Sequence, residues 1–330
     1  MPASATSSVL TEDTKSHSTA IETFSSYSRR GFWPQLMAAR RLYAFLDERK
    51  PLGRDDRLWD CRRYAWFARH ADTGQVRVIS NNCHLRWCPM CGHQRKNYIT
   101  HNVADWIRTK QYPKFLTLTI RHSSTPLYFQ IKELYDSFIK LRRMKFFKCA
   151  VPGGIWFFQV KKSKTDSLWH PHLHCLVYGD YIPIRHLKRK WAKATSGSHI
   201  VDIRPIKNIE GAASEVARYG TEPGSLIGLP VEDAAEMASA LQGRRVCGTW
   251  GTGRAVSLRP PASKDKLKWK NLGNFSVIYN NRDQFTECHQ IVKAWKTSEP
   301  LAEGIDMCDS SNQIMEAANK AQERSPPWLF

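Results

Sequence analysis

Three histidines fall within five positions, at His170, His172 and His174, and the residues that alternate with the last two are apolar. Residues 172–178 are rich in apolar and aromatic side chains, which predicts a β-strand. Because successive side chains of a strand point to opposite faces, His172 and His174 share one face. Two imidazoles side by side on a rigid strand are well placed to bind one metal ion. We therefore predict a divalent metal site here rather than an ordinary polar strand face.

A third ligand for this metal is expected close to the histidine pair. Residues 155–161 form another predicted strand, and a short polar loop joins it to the histidine strand. Strands joined in this way pair as an antiparallel hairpin, which places Gln159 on a face that it could share with His172 and His174. Gln159 and His170 are the two alternatives for the third ligand, and the sequence does not decide between them.

The cysteines form a second cluster of possible metal ligands. The chain has nine cysteines, an odd number, and Cys83, Cys88 and Cys91 lie within nine positions. The N-terminus lacks the basic and then apolar pattern of a secretory signal, so we expect a cytoplasmic protein in which such cysteines bind metal rather than form disulfides. A Cys-Pro-x-Cys-Gly turn is a typical metal knuckle, and structural zinc takes four ligands in a tetrahedron.

The fourth ligand of this predicted zinc site must come from elsewhere in the chain. Cys61 is the best choice, because a predicted hairpin over residues 64–79 would return the chain from Cys61 to Cys83. His84 and His93 are rivals for the same place. With four protein ligands the zinc would be structural, since no position is left open for chemistry.

A predicted helix over residues 209–220 carries a tyrosine and a glutamate one turn apart. Glu215 and Tyr219 are four positions apart, so their side chains lie on one face of the helix. A tyrosine in a helix more often packs than reacts. Its phenol becomes a nucleophile only when a base, a metal or nearby cations favour the phenolate.

The charge of the chain favours a polyanionic partner. The net charge is +20, the first thirty residues are balanced, and residues 298–330 carry −4, so the positive charge lies in the middle of the chain. Such a surface binds phosphates, and the 12 tryptophans and 11 tyrosines are suited to stacking on bases. We therefore predict a nucleic-acid partner. No segment approaches the roughly 20 apolar residues of a membrane span.

Together these motifs resemble those of the HUH endonucleases, and in particular the rolling-circle replication initiator (Rep) proteins of small plasmids. The matching segments are the Cys-rich residues 86–91, the Phe-Leu-Thr-Leu-Thr strand at 115–119, the histidine motif at 169–176 and the Gly-Arg-Arg segment within 243–251. Tyr219 follows the histidine motif by 45 residues and resembles the tyrosine motif of the family. The resemblance extends from about residue 61 to about residue 258.

The resemblance implies a metal-dependent tyrosine endonuclease. Tyr219 would attack single-stranded DNA, form a 5′-phosphotyrosyl link and free a 3′-hydroxyl that a polymerase extends. Glu215 or His170 would accept the phenol proton, and Glu215 would later activate water for the terminating cleavage. Thr117 and Thr119, on the polar face of a predicted strand, would line the DNA site. The histidine site would hold Mg²⁺ or Mn²⁺.

One position departs from the family pattern. Rep proteins usually have a lysine three residues after the nucleophile, and here that residue is Glu222. A carboxylate beside a scissile phosphate would repel it, so we expect Glu222 to point away. Arg218 or Lys207 would then contact the phosphate.

The fold implied by the resemblance is of the α+β class, with a central antiparallel sheet of the HUH nuclease type, helices on one face and a small Cys-rich zinc-knuckle module. We expect a disordered tail over residues 1–30, a helical and zinc-binding segment over 31–110 and the nuclease domain over 111–260. A C-terminal extension over 261–297, with a strand at 275–279 and a helix at 285–295, would precede an acidic flexible tail over 298–330.

The expected partners are single-stranded and duplex origin DNA, together with a host helicase and polymerase. Three other readings stay open. The chain could be a transposase or relaxase of the same superfamily, a zinc-containing DNA-binding protein without catalysis, or a hydrolase that uses water alone.

Overall fold

The computed structural model describes residues 32–47, 54–121, 123–163, 165–222, 224–259 and 268–305. The predicted N-terminal tail and most of the predicted acidic tail lie outside these ranges. Among the described residues, no helix has both the length and the apolar character needed to cross a membrane.

The described residues form ten α-helices and eight β-strands, which are interspersed along the chain. In chain order the helices are α1 Trp33–Asp47, α2 Arg54–Asp60, α3 Pro89–Arg108, α4 Leu127–Arg143, α5 Lys145–Ala150, α6 Ile184–Ala194, α7 Ile209–Thr221, α8 Val231–Ala240, α9 Phe275–Asn280 and α10 Thr286–Thr297. The strands are β1 Ala65–His70, β2 Val76–Ser80, β3 Lys114–Thr119, β4 Gly153–Lys162, β5 Trp169–Val177, β6 Val201–Pro205, β7 Cys247–Gly251 and β8 Trp269–Asn274.

The larger sheet has five strands in the order β6-β3-β5-β4-β7, and every neighbouring pair is antiparallel. The predicted hairpin of β4 and β5 is present, and it places Gln159 directly opposite His172. Strand β3 lies on the other side of β5, so the histidine strand occupies the centre of the sheet. A central strand is held by hydrogen bonds along both edges, which makes it a rigid support for a site.

Helices cover both faces of this sheet. On one face, Leu116, Leu118 and Leu173 are fully buried in a core that includes residues of α4, α6 and α8. On the other face, α3 and α7 pack over Phe115 and Phe157. The α+β class with antiparallel sheets is confirmed, but the helices are not restricted to one face as we expected. The histidine face is covered by α3 and α7, which leaves the site between sheet and helix.

A smaller sheet has the strand order β2-β1-β8. The predicted hairpin between Cys61 and Cys83 is β1 and β2, and β8 pairs with β1 from the C-terminal part of the chain. The Cys-rich segment and the C-terminal extension therefore share one sheet. Packing also continues past Ser298, because Leu301 is 4% exposed and donates its N–H to the carbonyl of Gly74.

The strand predicted over residues 275–279 is wrong, since these residues form helix α9. The side-chain oxygen of Asn274 accepts hydrogen bonds from the N–H groups of Ser276 and Val277, which caps the helix at its first turn. Phe275 and Ile278 are then buried against α10 and the small sheet. A local cap and tertiary packing thus override the strand propensity of these aromatic and β-branched residues.

Candidate functional site

The two histidines of β5 are held by hydroxyl groups of the neighbouring strand β3. Thr119 lies opposite His172, and its hydroxyl is hydrogen bonded to Nδ1 of that ring at 2.9 Å. Thr117 lies opposite His174 and contacts Nδ1 of that ring at 3.2 Å. Both threonines were expected to contact DNA, but Thr119 is 7% exposed and both hydroxyls orient imidazoles. The matching period of two in β3 and β5 is a sequence signal that could have indicated this role.

Gln159 is the nearest candidate for a third metal ligand. Its Oε1 accepts a hydrogen bond from Nε2 of His174 at 2.9 Å, and both side chains are 8% exposed. Two adjacent ligands of an octahedral ion are about 3.0 Å apart, so this geometry also suits a shared Mg²⁺ or Mn²⁺. His170 lies on the same strand face, but its Nε2 is 3.9 Å from the carboxylate of Asp166.

Burial keeps both paired histidines neutral at physiological pH. It lowers the pKa of His172 to about 4 and the pKa of His174 to about 3, with smaller contributions from nearby cationic groups. A metal ion binds the neutral imidazole, so these rings need lose no proton to act as ligands. The donor set of two imidazoles and one amide oxygen fits a divalent ion.

Tyr219 of α7 lies directly against the histidine pair. Its ring stacks on His174 with the centroids 4.5 Å apart and the ring planes 22° apart. The phenol hydroxyl donates to Oε1 of Glu215 at 3.1 Å and accepts from Nη2 of Arg218 at 3.3 Å. Burial and the Glu215 carboxylate raise the pKa of Tyr219, and the Arg218 guanidinium opposes this shift. The predicted pairing of Glu215 and Tyr219 is present.

Helix α7 is placed by its start and by a close approach to the sheet. The side chain of Asn208 accepts a hydrogen bond from the N–H of Gly211 at 2.8 Å and so caps the helix. At the other end, Gly220 lies against Phe157 of β4, where a Cβ atom would be only 2.9 Å from the ring. The missing side chain lets the helix bring Tyr219 down onto His174.

The two predicted phosphate contacts differ in position. Arg218 is exposed beside the Tyr219 hydroxyl, as a phosphate contact requires. Lys207 precedes the N-cap Asn208, at the end of α7 that lies about 15 Å of helix away from Tyr219. Arg218 is therefore the better placed of the two, and the role of Lys207 as a phosphate contact stays a prediction. Glu222 follows the end of α7 and lines a cavity beside Arg218.

Four buried cysteines form a compact cluster, and they are those chosen from the sequence. Cys61, Cys83, Cys88 and Cys91 place their sulfur atoms within 4.8 Å of one another. Within the part of the chain that the structure describes, no other group of three or more His, Cys, Asp or Glu residues meets this criterion. The rivals for the fourth place are elsewhere: His84 is exposed, and His93 is hydrogen bonded to Asn97.

The spacing of the sulfur atoms suits a tetrahedral ion. The Cys61–Cys91, Cys61–Cys88 and Cys83–Cys91 sulfur distances are 3.5, 3.5 and 3.8 Å. A zinc ion with four bonds of about 2.3 Å separates its sulfur ligands by about 3.8 Å. Hydrogen bonds among the four thiols lower the pKa of Cys91 and Cys83 and raise the pKa of Cys88 and Cys61, so the sulfur atoms are close enough to share protons. The four cysteines could hold a metal ion.

The comparisons with known proteins identify a family for this chain. A family model described as Replication protein matches residues 76–300, which include the histidine pair, Tyr219 and three of the four clustered cysteines. "Protein rep" of Streptococcus pneumoniae serotype 2 is 26% identical over 274 residues, which cover 74% of this chain and 82% of that protein. No solved structure matches the chain at a significant level.

Two further relatives, both named "Protein rep", come from Bacillus sp and Bacillus amyloliquefaciens. Each is 31% identical over 168 residues and 46% of this chain, and the aligned part spans 55% and 50% of their lengths. The family match covers about two thirds of the chain and contains both chemical motifs of the sheet and of α7. The chain therefore belongs to the replication protein family, which confirms its resemblance to Rep initiators.

Proposed function

We propose that this replication protein starts rolling-circle replication of a plasmid by cutting one strand of the origin with Tyr219. The observation that carries the proposal is the stack of the Tyr219 ring on His174, at 4.5 Å between centroids. It joins a phenol from a helix to an imidazole pair from a strand that is remote in sequence. The contacts of the phenol hydroxyl with Glu215 and Arg218 support a reacting group rather than a packing residue.

His172, His174 and Gln159 are the residues that would hold a divalent ion, Mg²⁺ or Mn²⁺. When bound, such an ion supplies positive charge for a non-bridging oxygen of the scissile phosphate. Gln159 is favoured over His170 as the third ligand, because it contacts His174 while His170 lies toward Asp166. Thr117 and Thr119 hold the two rings in the orientation that this role requires.

The proposed reaction exchanges one phosphate ester for another. Tyr219 Oη attacks phosphorus, the bond from phosphorus to the 3′ oxygen breaks, and the chain carries the new 5′-phosphotyrosyl ester. Glu215 accepts the phenol proton, and the leaving oxygen takes a proton from solvent to become the 3′-hydroxyl primer. Arg218 would contact the phosphate. The phosphate remains a diester when it is transferred to Tyr219, so the strand can be rejoined without ATP. For the terminating cleavage, Glu215 would activate water.

The cysteine cluster is proposed to hold structural zinc, which would stiffen the segment that packs beside α7 and help it to grip duplex DNA. The proposed partners are single-stranded and duplex origin DNA, with a host helicase and polymerase acting on the freed primer in the cytoplasm. The predicted division into a Cys-rich segment, a nuclease domain ending near residue 260 and a C-terminal extension is kept as a proposal.

The direct test uses single-stranded origin oligonucleotides labelled downstream of the nick, with Mg²⁺ or Mn²⁺. We expect wild-type protein to carry the label through denaturing electrophoresis and Tyr219→Phe to lose the adduct by at least about a thousandfold, because Phe lacks the attacking oxygen. Tyr178→Phe is the matched control, since Tyr178 is hydrogen bonded to Thr252 rather than to the site.

Each other result points to a different function. An adduct that survives in Tyr219→Phe would remove Tyr219 as the nucleophile. Nicking without any adduct in the wild type would favour a hydrolase that uses water, and binding without nicking would favour a non-catalytic DNA-binding protein. Transposon ends cut in preference to plasmid origins would favour a transposase of the same superfamily.

A further inference from the structure

A cavity of about 170 Å³ lies between the start of α3, the start of α1 and the end of α7. A cavity of about 150 Å³ in a protein interior is large enough for benzene, so this one can take an aromatic ring. Its apolar walls include Phe32 and Trp87. It therefore has the size and lining of a pocket for a planar ring.

The polar groups of the cavity include two hydrogen-bond acceptors, the amide oxygen of Gln35 and the carboxylate of Glu222. Oε1 of Gln35 is buried and, among the described residues, accepts no hydrogen bond. The carboxylate of Glu222 lies on the same cavity; desolvation raises its pKa, and the nearby Arg218 guanidinium opposes this shift. A buried acceptor without a partner is costly, so Gln35 is suited to a ligand that brings an N–H donor, and the exposed Glu222 carboxylate offers a second acceptor on the same cavity.

The cavity also adjoins the nucleophile. Arg218 lines it and donates a hydrogen bond to the hydroxyl of Tyr219 at 3.3 Å. Arg86 and Lys96 add further positive charge to the lining. A ligand that combines a planar ring, N–H donors and an attached phosphate matches all of these features, and a nucleotide of single-stranded DNA is such a ligand.

We propose that this cavity receives the base of a nucleotide next to the phosphate that Tyr219 attacks, and that Gln35 and Glu222 select a base with an exocyclic amino group. Adenine, cytosine and guanine carry such a group, which offers two N–H donors. The single N–H of thymine lies between two carbonyl oxygens that the two acceptors repel, so thymine is disfavoured at that one position. The inference rests on the proposed function for the choice of DNA. It gives Glu222 the role of a specificity residue.

The test is a binding selection that needs no cleavage. A single-stranded DNA library with a randomised segment is equilibrated with the full chain, and the bound fraction is sequenced. We expect wild type to disfavour thymine at one position. Gln35→Met and Glu222→Met, which remove an acceptor at nearly constant volume, should each reduce that preference about tenfold, since a good pair of contacts to a base edge gives discrimination of this order.

The controls separate this inference from the proposed function. Glu133→Met removes the same charge from an exposed position on α4 and should keep the wild-type pattern. Tyr219→Phe should also keep it, whether or not the wild type forms a covalent adduct. A wild type without any disfavoured thymine would overturn the inference. So would Gln35→Met and Glu222→Met variants that melt at the wild-type temperature and retain the wild-type pattern at every position.

Discussion

At the scale of single residues, the site is a set of side chains held by their neighbours rather than by solvent. Two threonine hydroxyls, one amide and one phenol ring surround His174 and its neighbour His172. The face that each of these strand residues takes could be predicted from the alternation of side chains along the strands. The sequence could not show that Thr117 and Thr119 contact the histidine rings, because alternation tells which face of the sheet a side chain takes but not which atom it contacts.

The low pKa values of His172 and His174 predict a stability change with pH. Between about pH 6.5 and pH 4, both histidines are protonated in the unfolded chain but stay neutral in the folded chain. Their contribution to the free energy of unfolding is therefore full above pH 6.5 and is lost as the pH falls. We expect urea unfolding without added Mg²⁺ or Mn²⁺ to show lower stability at pH 5.0 than at pH 7.5. In a double variant with His172→Asn and His174→Asn, the loss of unfolding free energy between pH 7.5 and pH 5.0 should be smaller than in the wild type by about 2 kcal/mol or more. An equal loss of unfolding free energy in the wild type and in the double variant would contradict the low pKa values of the two histidines.

At the scale of elements, the position of Tyr219 depends on how closely α7 approaches β4. The contact of Gly220 with Phe157 sets this approach, and the N-cap at Asn208 sets where the helix begins. The sequence pattern predicts the helix and its face. It does not predict the distance between helix and sheet, since that depends on a glycine and a phenylalanine more than sixty positions apart.

We expect Gly220→Ala to lower stability by about 1–3 kcal/mol, because the new Cβ would overlap the Phe157 ring and push α7 outward. Adduct formation should fall at least about tenfold at a temperature where the variant is still folded. Gly92→Ala in α3 is the matched control, since its Cβ would have 4.0 Å to the nearest atom. Urea unfolding and the adduct assay measure both effects, and unchanged activity in Gly220→Ala would contradict the role of the contact.

The cysteine cluster gives a second prediction at this scale. We expect the purified chain to contain about one zinc ion, and Cys88→Ser to lose it and to melt at a lower temperature, because a structural metal contributes to folding. Cys149→Ser is the control, as Cys149 is exposed on α5 and outside the cluster. Elemental analysis and thermal melting are the measurements. Metal content that stays the same in Cys88→Ser would exclude the site.

At the scale of the whole molecule, the main features are the strand pairing that joins distant segments of the chain and the strongly positive net charge. The net charge is +20, and the small sheet joins the Cys-rich segment to the C-terminal extension. The borders predicted from the sequence place these two parts in separate segments, because strand pairing between β1 and β8 leaves no trace in the local sequence. A basic surface of this kind predicts how binding responds to salt.

We expect the affinity of Tyr219→Phe for single-stranded DNA to fall at least about tenfold between 100 and 300 mM NaCl, since release of counterions from several phosphates gives a steep dependence on salt. Fluorescence anisotropy with a labelled oligonucleotide measures this slope. An affinity that does not change with salt would mean that phosphate contacts contribute little.

From the sequence alone we could predict the candidate groups: a histidine pair on one strand face, a glutamate and a tyrosine on one helix face, a cysteine knuckle and a family resemblance. Each follows from periodicity within one element or from spacing over a few residues. Three outcomes needed the folded chain: Cys61 joins the other three clustered cysteines, Gln159 rather than His170 contacts His174, and residues 275–279 are helical. These outcomes depend on contacts between remote segments, where packing and capping decide among local preferences of similar strength.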